Sequence, residues 1–339
     1  MAEYFGLDIG SSVIKVVQLK GDSVIHAGLT QNPIGRIGVD FIPSEKYELV
    51  TCVKKLIESS GISCKKAVIS IPEVSVYSKV MSFPVISSAE LASAIKWQSV
   101  QDVPLPSDQI ELSWVVVNKP KKNLGNEQMK VLVVATPRKI ANSTVEFLNM
   151  AGIEPLRAEN EAVSLYRLYT YRQNQDGVTL LGDLGANSLK LVVLDEGIIK
   201  NIYSVNLGGM ALTRALAQEF GLSLLQAEQY KRAYGADQVQ AEGRIYKGIE
   251  PVLNSIMDEF VKVVSGYNQS NPDRKVEKII LFGGGVYLKG IVGLLSARTG
   301  VEVSVGNAFE NIKASANLVP FSGIYGVATG LAIKDMNGN

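Results

Sequence analysis

The chain has 339 residues, of which 46% are hydrophobic and 20% are charged, with 34 basic against 33 acidic side chains. This length exceeds what one compact core normally organises, so we expect two or three domains. The near-neutral charge gives no reason to expect a nucleic acid or an anionic membrane as the main partner.

The first part of the chain predicts a β-hairpin with buried strands, followed by an alternation of strands and one helix. The hairpin strands are rich in β-branched and apolar residues and flank Gly10-Ser11-Ser12. Gly61 is expected to end the helix, whose apolar residues have helical spacing. The predicted elements are strands over residues 4–9, 13–20, 23–30 and 66–71 and a helix over residues 45–59.

Residues 74–150 predict a separate small α/β unit. Its helix starts at either Ser87 or Ser88, both of which are suitable N-cap residues. The predicted elements are strands over residues 76–83, 110–117 and 129–136 and helices over residues 90–101 and 143–152.

The second half of the chain begins with a predicted connecting helix over residues 153–172. A strand from Thr179 then opens a second unit, in which Gly208-Gly209 and Ser223 are expected to cap helices. The remaining predicted elements are a long helix over residues 246–268, a strand over residues 278–282 that leads through Gly283-Gly284-Gly285 directly into a helix, and a last helix over residues 323–335.

An internal repeat is the main motif of the sequence. Residues 5–19 (FGLDIGSSVIKVVQL) match residues 181–194 (LGDLGANSLKLVVL). The offset of 175 residues (183 − 8) pairs Asp8 with Asp183, Gly10 with Gly185 and Lys15 with Lys190. Two copies of one hairpin predict a duplicated architecture in which each half presents the same turn to a shared cleft.

These turns suit the phosphates of a nucleoside triphosphate. Gly10 and Gly185 would let the backbone approach phosphate oxygens and adopt φ values that other residues avoid. Turn N–H groups and the hydroxyls of Ser11, Ser12 and Ser188 can donate to those oxygens. Asp8 and Asp183 could hold a hydrated Mg²⁺, and Lys15 adds positive charge.

Two weaker motifs lie in the second half. Gly283, Gly284 and Gly285 follow a buried strand but fit neither the dinucleotide-binding nor the P-loop spacing. Glu228 and Lys231 lie three residues apart on a predicted helix. They could form a surface ion pair or contact a ribose and an adenine.

Counts of single residue types exclude several other sites. His26 is the only histidine, which excludes histidine-based metal sites and a Ser-His-Asp triad. Cys52 and Cys64 lack metal-ligand or redox spacing and are expected to be reduced thiols of a cytosolic protein. No signal peptide or apolar run of roughly 18–20 residues is found. We therefore expect a cytoplasmic protein without direct membrane insertion.

In their order and spacing, the two hairpins, the three glycines and a Gly/Ala-rich last helix (GIYGVATGLAI) resemble the actin, hexokinase and sugar-kinase superfamily over nearly the whole chain. Within it, the chain is most similar to the PilM family, actin-like proteins of bacterial type IV pilus assembly that are themselves similar to FtsA. The stretches that carry this resemblance are residues 5–19, 83–114 and 206–235.

The resemblance implies an α/β fold of two duplicated, actin-like lobes of ribonuclease-H type with an inserted small α/β module like the 1C (SHS2) domain of FtsA. Residues 1–73 and 151–176 would form the first lobe and residues 74–150 the module. Residues 177–339 would form the second lobe, with residues 210–275 as its smaller helical subdomain.

The resemblance also implies ATP and Mg²⁺ as ligands. In actin-like hydrolases an acidic or amide residue of the connecting helix orients the attacking water. Here Glu159 or Glu161 is the candidate, and Glu159 is the one predicted. The stretch lacks the Glu-Pro start of FtsA-like proteins, which implies slow hydrolysis at most. The implied nucleotide contacts are Asp8, Gly10, Ser11, Ser12 and Lys15 of the first lobe, and Asp183, Gly185, Asn187, Gly209, Glu228, Lys231, Gly283, Gly284 and Gly285 of the second, with Asp8 and Asp183 also on the metal.

The implied partner is the N-terminal cytoplasmic peptide of a PilN-type inner-membrane protein, bound in a groove beside the module. It would recruit the chain to the inner membrane, where pilus assembly ATPases are further possible partners. Trp97 is a candidate for this surface, whereas Trp114 is expected in the core. The alternatives are a filament-forming protein like FtsA or MreB, with which weak self-association would agree, and a small-molecule kinase.

Overall fold

The computed structural model describes residues 4–36, 41–72, 76–120, 128–172 and 176–334. The strands are β1 (Phe5–Ile9), β2 (Val13–Lys20), β3 (Ser23–Gln31), β4 (Lys66–Ile71), β5 (Tyr77–Phe83), β6 (Ile110–Asn118), β7 (Met129–Pro137), β8 (Glu154–Asn160), β9 (Val178–Leu184), β10 (Leu189–Asp195), β11 (Ile198–Val205), β12 (Val276–Phe282) and β13 (Glu302–Val305). The helices are α1 (Pro43–Ser59), α2 (Ser88–Asp102), α3 (Arg138–Ala151), α4 (Glu161–Thr170), α5 (Gly209–Phe220), α6 (Leu224–Tyr234), α7 (Arg244–Ser270), α8 (Ile291–Thr299) and α9 (Gly326–Ala332).

Two five-stranded sheets have the same strand order. The first runs β3-β2-β1-β4-β8 and the second β11-β10-β9-β12-β13. In each sheet three consecutive strands pair antiparallel, and two further strands add in parallel beside the first of them. Every strand of one sheet therefore has a counterpart in the other. The duplicated α/β architecture predicted from the repeat is confirmed.

The first sheet is covered on both faces. Phe5 and Leu7 of β1 point to one face, where they pack with buried apolar residues of α1 and α3. Gly6 lies on the other face against α9, and a Cβ at this glycine would overlap the carbonyl oxygen of Ala328. The lack of a side chain at this position lets the last helix of the second half lie directly on the first strand.

The two lobes share a core built around α4 and α9. Val17 of the first sheet and Val192 of the second belong to the same buried cluster as Leu165 of α4 and Ala328 of α9. The opposite face of the second sheet packs against α7, whose buried residues include Phe260 and recur at helical spacing. The apolar stripe of the long helix thus anchors the helical layer formed with α5 and α6.

The module between the lobes consists of a three-stranded sheet in the order β5-β7-β6 and the helix α2. Ser87 is the N-cap of α2 and forms a reciprocal capping box with Glu90, which decides between the two predicted caps. One face of this sheet packs on α2, and the other face joins the core shared by the lobes.

The predicted domain boundaries stay predictions. The boundary between residues 73 and 74 lies outside the described residues. At the other end, Phe147 and Leu148 of α3 pack into the core of the first lobe, although the predicted module extends to residue 150.

Several predicted elements were wrong in detail. Residues 153–172 form the strand β8 followed by α4, and not one connecting helix. β8 is a largely exposed edge strand with charged residues, so it lacks the apolar alternation that identifies a buried strand. A 3₁₀ turn over Gly284–Tyr287 includes the last two of the three glycines, and α8 begins only at Ile291.

The ends of two helices also differ from prediction. The helix predicted over residues 143–152 begins at Arg138, directly after β7. The last helix covers only Gly326–Ala332 and follows a 3₁₀ segment over Val319–Tyr325, while residue 335 lies outside the described residues. None of the helices that the structure describes is long and apolar enough to cross a membrane.

Candidate functional site

The two repeated hairpins have the same geometry. Asp8 lies opposite Lys15 in the antiparallel register of β1 and β2, and Lys15 Nζ donates to Asp8 Oδ2 at 2.7 Å. Asp183 lies opposite Lys190 in the register of β9 and β10, and Lys190 Nζ donates to Asp183 Oδ2, also at 2.7 Å. The repeat therefore places one aspartate–lysine pair with a buried carboxylate at the root of each turn.

The first turn is braced by two residues that the sequence analysis missed. Ser70 Oγ donates to Asp8 Oδ1 at 2.8 Å from the end of the neighbouring parallel strand β4. Asn32 donates to the carbonyl oxygen of Gly10 through its side chain at 2.9 Å and to that of Ser12 through its backbone at 2.8 Å. Ser70 could have been predicted, because it lies at the carboxyl end of a strand beside β1. Nothing in the sequence pointed to Asn32.

The second turn is braced by the start of α5. Gly209 N donates to the carbonyl oxygen of Gly185 at 3.0 Å, and Met210 N donates to that of Ala186 at 2.7 Å. The predicted contact Gly209 is thereby joined to the predicted contact Gly185. The tip residue Asn187 is half-buried, as is Ser12 at the equivalent position of the first turn.

The glycines of the turns matter because a side chain would crowd neighbouring atoms, and not because their φ angles are positive. Neither Gly10 nor Gly185 has a positive φ, so that expectation was wrong. A Cβ at Gly10 would instead lie 2.6 Å from the carbonyl oxygen of Val13 and 3.1 Å from Lys15 Nζ. A positive φ of 87° occurs at Gly283, where a Cβ would overlap Asp183 Oδ1. At Gly285 a Cβ would press into the side chain of Leu184.

A fifth charged residue contacts the second aspartate–lysine pair. Glu161, the first residue of α4, places its Oε2 3.0 Å from Lys190 Nζ. Asp8, Lys15, Asp183, Lys190 and Glu161 will be called the interlobe charge cluster. Its three carboxylates and two ammonium groups carry one formal negative charge together.

The cluster shifts the pKa values of its members. Burial alone would raise the pKa of Asp8, but the charge and hydrogen bond of Lys15 and the charge of Lys190 bring it below its ordinary value. Burial alone would lower the pKa of Lys190, but the carboxylates of Asp183, Glu161 and Asp8 raise it above its ordinary value. Lys190 therefore remains charged, and it lies close enough to Asp8 to couple the two lobes electrostatically.

The structure separates the two candidate catalytic carboxylates. Glu159 lies on β8, where Arg167 binds both of its oxygens at 2.7 and 3.0 Å and Arg157 lies 3.2 Å away. Glu161 points to Lys190 in the cluster. The geometry places Glu161, and not the predicted Glu159, beside Lys190 of the second hairpin.

The predicted pair on α6 forms a second polar cluster at the start of α5. Lys231 Nζ lies 2.6 Å from Glu228 Oε2 and donates to the carbonyl oxygen of Gly209 at 2.9 Å. Thr213, which the sequence analysis missed, donates to Glu228 at 2.6 Å. Burial opposes ionisation of Glu228, but Lys231, Thr213 and Arg232 lower its pKa. Burial also lowers the pKa of Lys231.

Comparison with known proteins identifies the family of this chain. The family model described as type IV pilus assembly protein PilM matches residues 6–336. The chain belongs to the PilM family. A solved PilM-PilN type IV pilus biogenesis complex contains a chain that is 26% identical, with a TM-score of 0.87 and 97% of each chain covered.

More distant relatives share the fold. MreB5 of Spiroplasma citri, solved with ADP, is 11% identical with a TM-score of 0.53, covering 96% of this chain and 94% of that one. The cell division protein FtsA of Staphylococcus epidermidis is 22% identical over 254 residues, which cover 68% of this chain and 54% of FtsA. The chain thus spans about half the length of the curated relatives that it matches.

The residues of this PilM family member fit a nucleotide better than a metal ion held by protein alone. The turns offer hydroxyl, amide and N–H groups beside Lys15. The missing side chain at Gly10 leaves space next to these groups that a Cβ would fill. Among the described residues, no three His, Cys, Asp or Glu side chains group closely enough to hold a metal. A Mg²⁺ ion that keeps several waters needs only one or two carboxylates.

Proposed function

We propose that this chain is an ATP-binding scaffold of type IV pilus assembly. The observation that carries the proposal is its match to the PilM family over residues 6–336, together with the fold similarity to the PilM-PilN complex along 97% of both chains. The similarity includes the module between the lobes, so it is not limited to the duplicated sheets that other actin-like proteins share.

ATP would bind between the two hairpins. The hydroxyls of Ser11 and Ser12 and the ammonium of Lys15 would bind phosphates from the first lobe, and the turn at Gly185 and Asn187 would do so from the second. Asp8 would meet a hydrated Mg²⁺, while the metal contact of Asp183 stays a prediction.

The ribose and adenine would lie against the second lobe. Glu228 and Lys231 form one polar edge beside Gly209, and the turn at Gly283–Gly285 would lie under the nucleotide. The close packing of Gly283 and Gly285 on Asp183 and Leu184 supports this placement, because it joins the turn to the second hairpin.

Turnover of ATP is proposed to be slow at most. The predicted carboxylate Glu159 is bound on both oxygens by Arg167, and Glu161 is bound by Lys190. A carboxylate that already pairs with a basic side chain is a poor acceptor for the proton of an attacking water.

The proposed partner is the N-terminal cytoplasmic peptide of a PilN-type inner-membrane protein. It would recruit this chain to the inner membrane from the cytoplasm and connect it with pilus assembly ATPases. The module offers exposed apolar side chains for such a contact. Trp97 on α2 is 70% exposed, and Trp114 on β6, which was expected in the core, is 36% exposed.

Two binding measurements test the proposal. Calorimetry with ATP and Mg²⁺ is expected to give saturable binding that Asp8→Ala weakens strongly. Fluorescence anisotropy with a labelled N-terminal peptide of the cognate PilN-type protein is expected to show saturable binding, and a scrambled peptide of the same composition is the control. Equal binding of both peptides would reject the partner, and an unchanged ATP affinity of Asp8→Ala would reject the nucleotide site.

A filament-forming function is the second candidate, favoured by the alignment with FtsA and the fold similarity to MreB5. Sedimentation of the purified chain with and without ATP tests it. If most of the protein enters the pellet only when ATP is present, the filament-forming function would be favoured over the scaffold.

A further inference from the structure

The junction between β8 and α4 contacts all three parts of the chain. In the first lobe, Asn160 at the end of β8 lies opposite Ile71 of β4 in the parallel register. The next residue, Glu161, begins α4 and reaches the second hairpin, with 3.0 Å between its Oε2 and Lys190 Nζ. The side chain of Asn160 reaches the module, where its Nδ2 donates to Ser78 Oγ of β5 at 2.9 Å. Two consecutive residues therefore join the first lobe, the second lobe and the module.

Both polar ends of the Asn160 side chain form hydrogen bonds. Its Oδ1 accepts from Val163 N at 3.0 Å and so caps the first turn of α4. Its Nδ2 has Ser78 Oγ as its one acceptor among the described residues, and the side chain is buried. Loss of this acceptor would leave a buried donor unsatisfied, which is more unfavourable than the loss of an exposed hydrogen bond. The position of Asn160 therefore depends on the module as well as on α4.

Ser78 lies where the module packs on the rest of the chain. It pairs with Val134 of β7, on the sheet face that joins the core shared by the lobes. Val76, just before β5, and Val80 on β5 pack against the same core, and so does Ile202 of β11 in the second lobe. A shift of the module on this surface would therefore move the acceptor of Asn160.

We propose that Asn160 is a positioning residue that links the module to the nucleotide site. Because Glu161 follows Asn160 directly, the contact with Ser78 helps to fix the first turn of α4 and the carboxylate beside Lys190. A peptide that moves the module would change this contact, and a nucleotide that changes the spacing of the two hairpins would change it from the other side. Each ligand would then alter the affinity for the other by the same factor. This inference rests on the proposed nucleotide and peptide sites.

Substitutions at Ser78 test the link without removing the cap of α4. Ser78→Ala removes the acceptor of Asn160 Nδ2, whereas Ser78→Thr keeps a hydroxyl. Calorimetry with Mg²⁺ is expected to show ATP binding at least about threefold weaker for Ser78→Ala and within about twofold of wild type for Ser78→Thr. Ser82→Ala is the matched control, because Ser82 also accepts a hydrogen bond on β5, from Lys130, but lies about 13 Å further along the strand. It should keep the wild-type affinity.

Asn160→Ser tests the same contact from the other side. Serine is also a good N-cap residue, but it lacks the Nδ2 group that reaches Ser78. In a double-mutant cycle, Ser78→Ala and Asn160→Ser should weaken ATP binding by about the same factor alone and together. Two factors that multiply in the double variant would show that the residues act independently, and would overturn the proposal.

Coupling to the partner is a property that a purely structural contact would not change. The dissociation constant of ATP is measured with and without a saturating amount of the N-terminal peptide of the cognate PilN-type protein. For wild type and Ser82→Ala the two constants are expected to differ by at least about fivefold, and for Ser78→Ala by less than about twofold. Equal constants in wild type would overturn the proposal, as would a difference in Ser78→Ala as large as that in wild type.

The outcomes separate this inference from the proposed function. If wild type binds both ATP and the peptide but Ser78→Ala binds ATP as tightly as wild type, the link through Asn160 is wrong and the proposed function stands. If wild type fails to bind ATP or the peptide, the proposed function is rejected and this inference with it. Thermal unfolding of each variant confirms that the compared proteins are folded.

Discussion

Gly283 packs its backbone directly against the carboxylate of Asp183. The φ of Gly283 is 87°, and a Cβ at this residue would overlap Asp183 Oδ1 and lie 2.6 Å from the carbonyl oxygen of Leu184. The turn after β12 therefore lies close against the second hairpin, and the position of Asp183 depends on the absence of a side chain there.

Gly283→Ala is expected to lower the free energy of unfolding by about 1–3 kcal/mol, because alanine is strained at this φ and displaces Asp183. Urea denaturation measures the change. Gly284→Ala is the control, since the nearest atom to its Cβ is Ile324 Cδ1 at 4.0 Å and its φ is not positive. The control should stay within about 0.5 kcal/mol of wild type. Equal effects of the two substitutions would contradict the close packing of Gly283.

Lys190→Met is expected to destabilise the fold by about 3–5 kcal/mol, because it removes the buried ammonium group that pairs with Asp183 and Glu161. Adding Glu161→Gln should recover part of this loss. Lys200 provides the comparison, because its side chain is partly exposed and its partner Asp195 also pairs with Arg274. Lys200→Met should therefore cost under about 1 kcal/mol. Urea midpoints of the four proteins check the prediction, which fails if the double variant is less stable than the single one.

Stability should depend on pH through Asp8. Its folded pKa lies below the ordinary value, so its ionised form contributes stability that is complete above about pH 4 and is lost as the pH falls through the folded pKa. The stability gap between wild type and Asp8→Asn should therefore be widest near neutral pH and narrow below about pH 4. Urea denaturation across this range measures it. Asp273→Asn, in the exposed turn before β12, is the control for replacing an aspartate at the surface.

Trp97→Ala is expected to weaken binding of the PilN-type peptide at least about fivefold, because exposed aromatic residues of an interface commonly contribute more than 1 kcal/mol. Leu225→Ala is the control, since Leu225 on α6 has the same exposure of 70% but lies in the second lobe. Anisotropy titrations compare them. Loss of binding in both variants would point away from the module.

The sequence predicted the duplicated lobes well because the hairpin strands are buried and strongly patterned. β1, β2, β9 and β12 were found nearly to the residue, since buried strands of apolar residues bounded by glycine leave few alternatives. The strand β8 escaped because an edge strand carries charged side chains and no alternation. The short β13 was missed because few of its residues are buried.

The sequence predicted which residue types form the candidate site, but it did not predict which side chains pair with each other. The repeat identified Asp8, Lys15 and Asp183, yet Lys190 also pairs with Glu161, which reaches it from another element. Spacing along the chain carries no information on such a contact. The choice of Glu159 over Glu161 stays a prediction, and the strand-to-helix junction between them turns their side chains to different partners.

The contact between Gly6 and α9 has a consequence for synthesis on the ribosome. The first strand of the chain is completed by a helix that follows it by nearly the whole length of the sequence. At translation rates of about 5–20 residues per second, β1 would wait on the order of half a minute for its cover. Until then one face of the first sheet stays open to other nascent chains, so a chaperone that shields this face should increase the yield of folded protein.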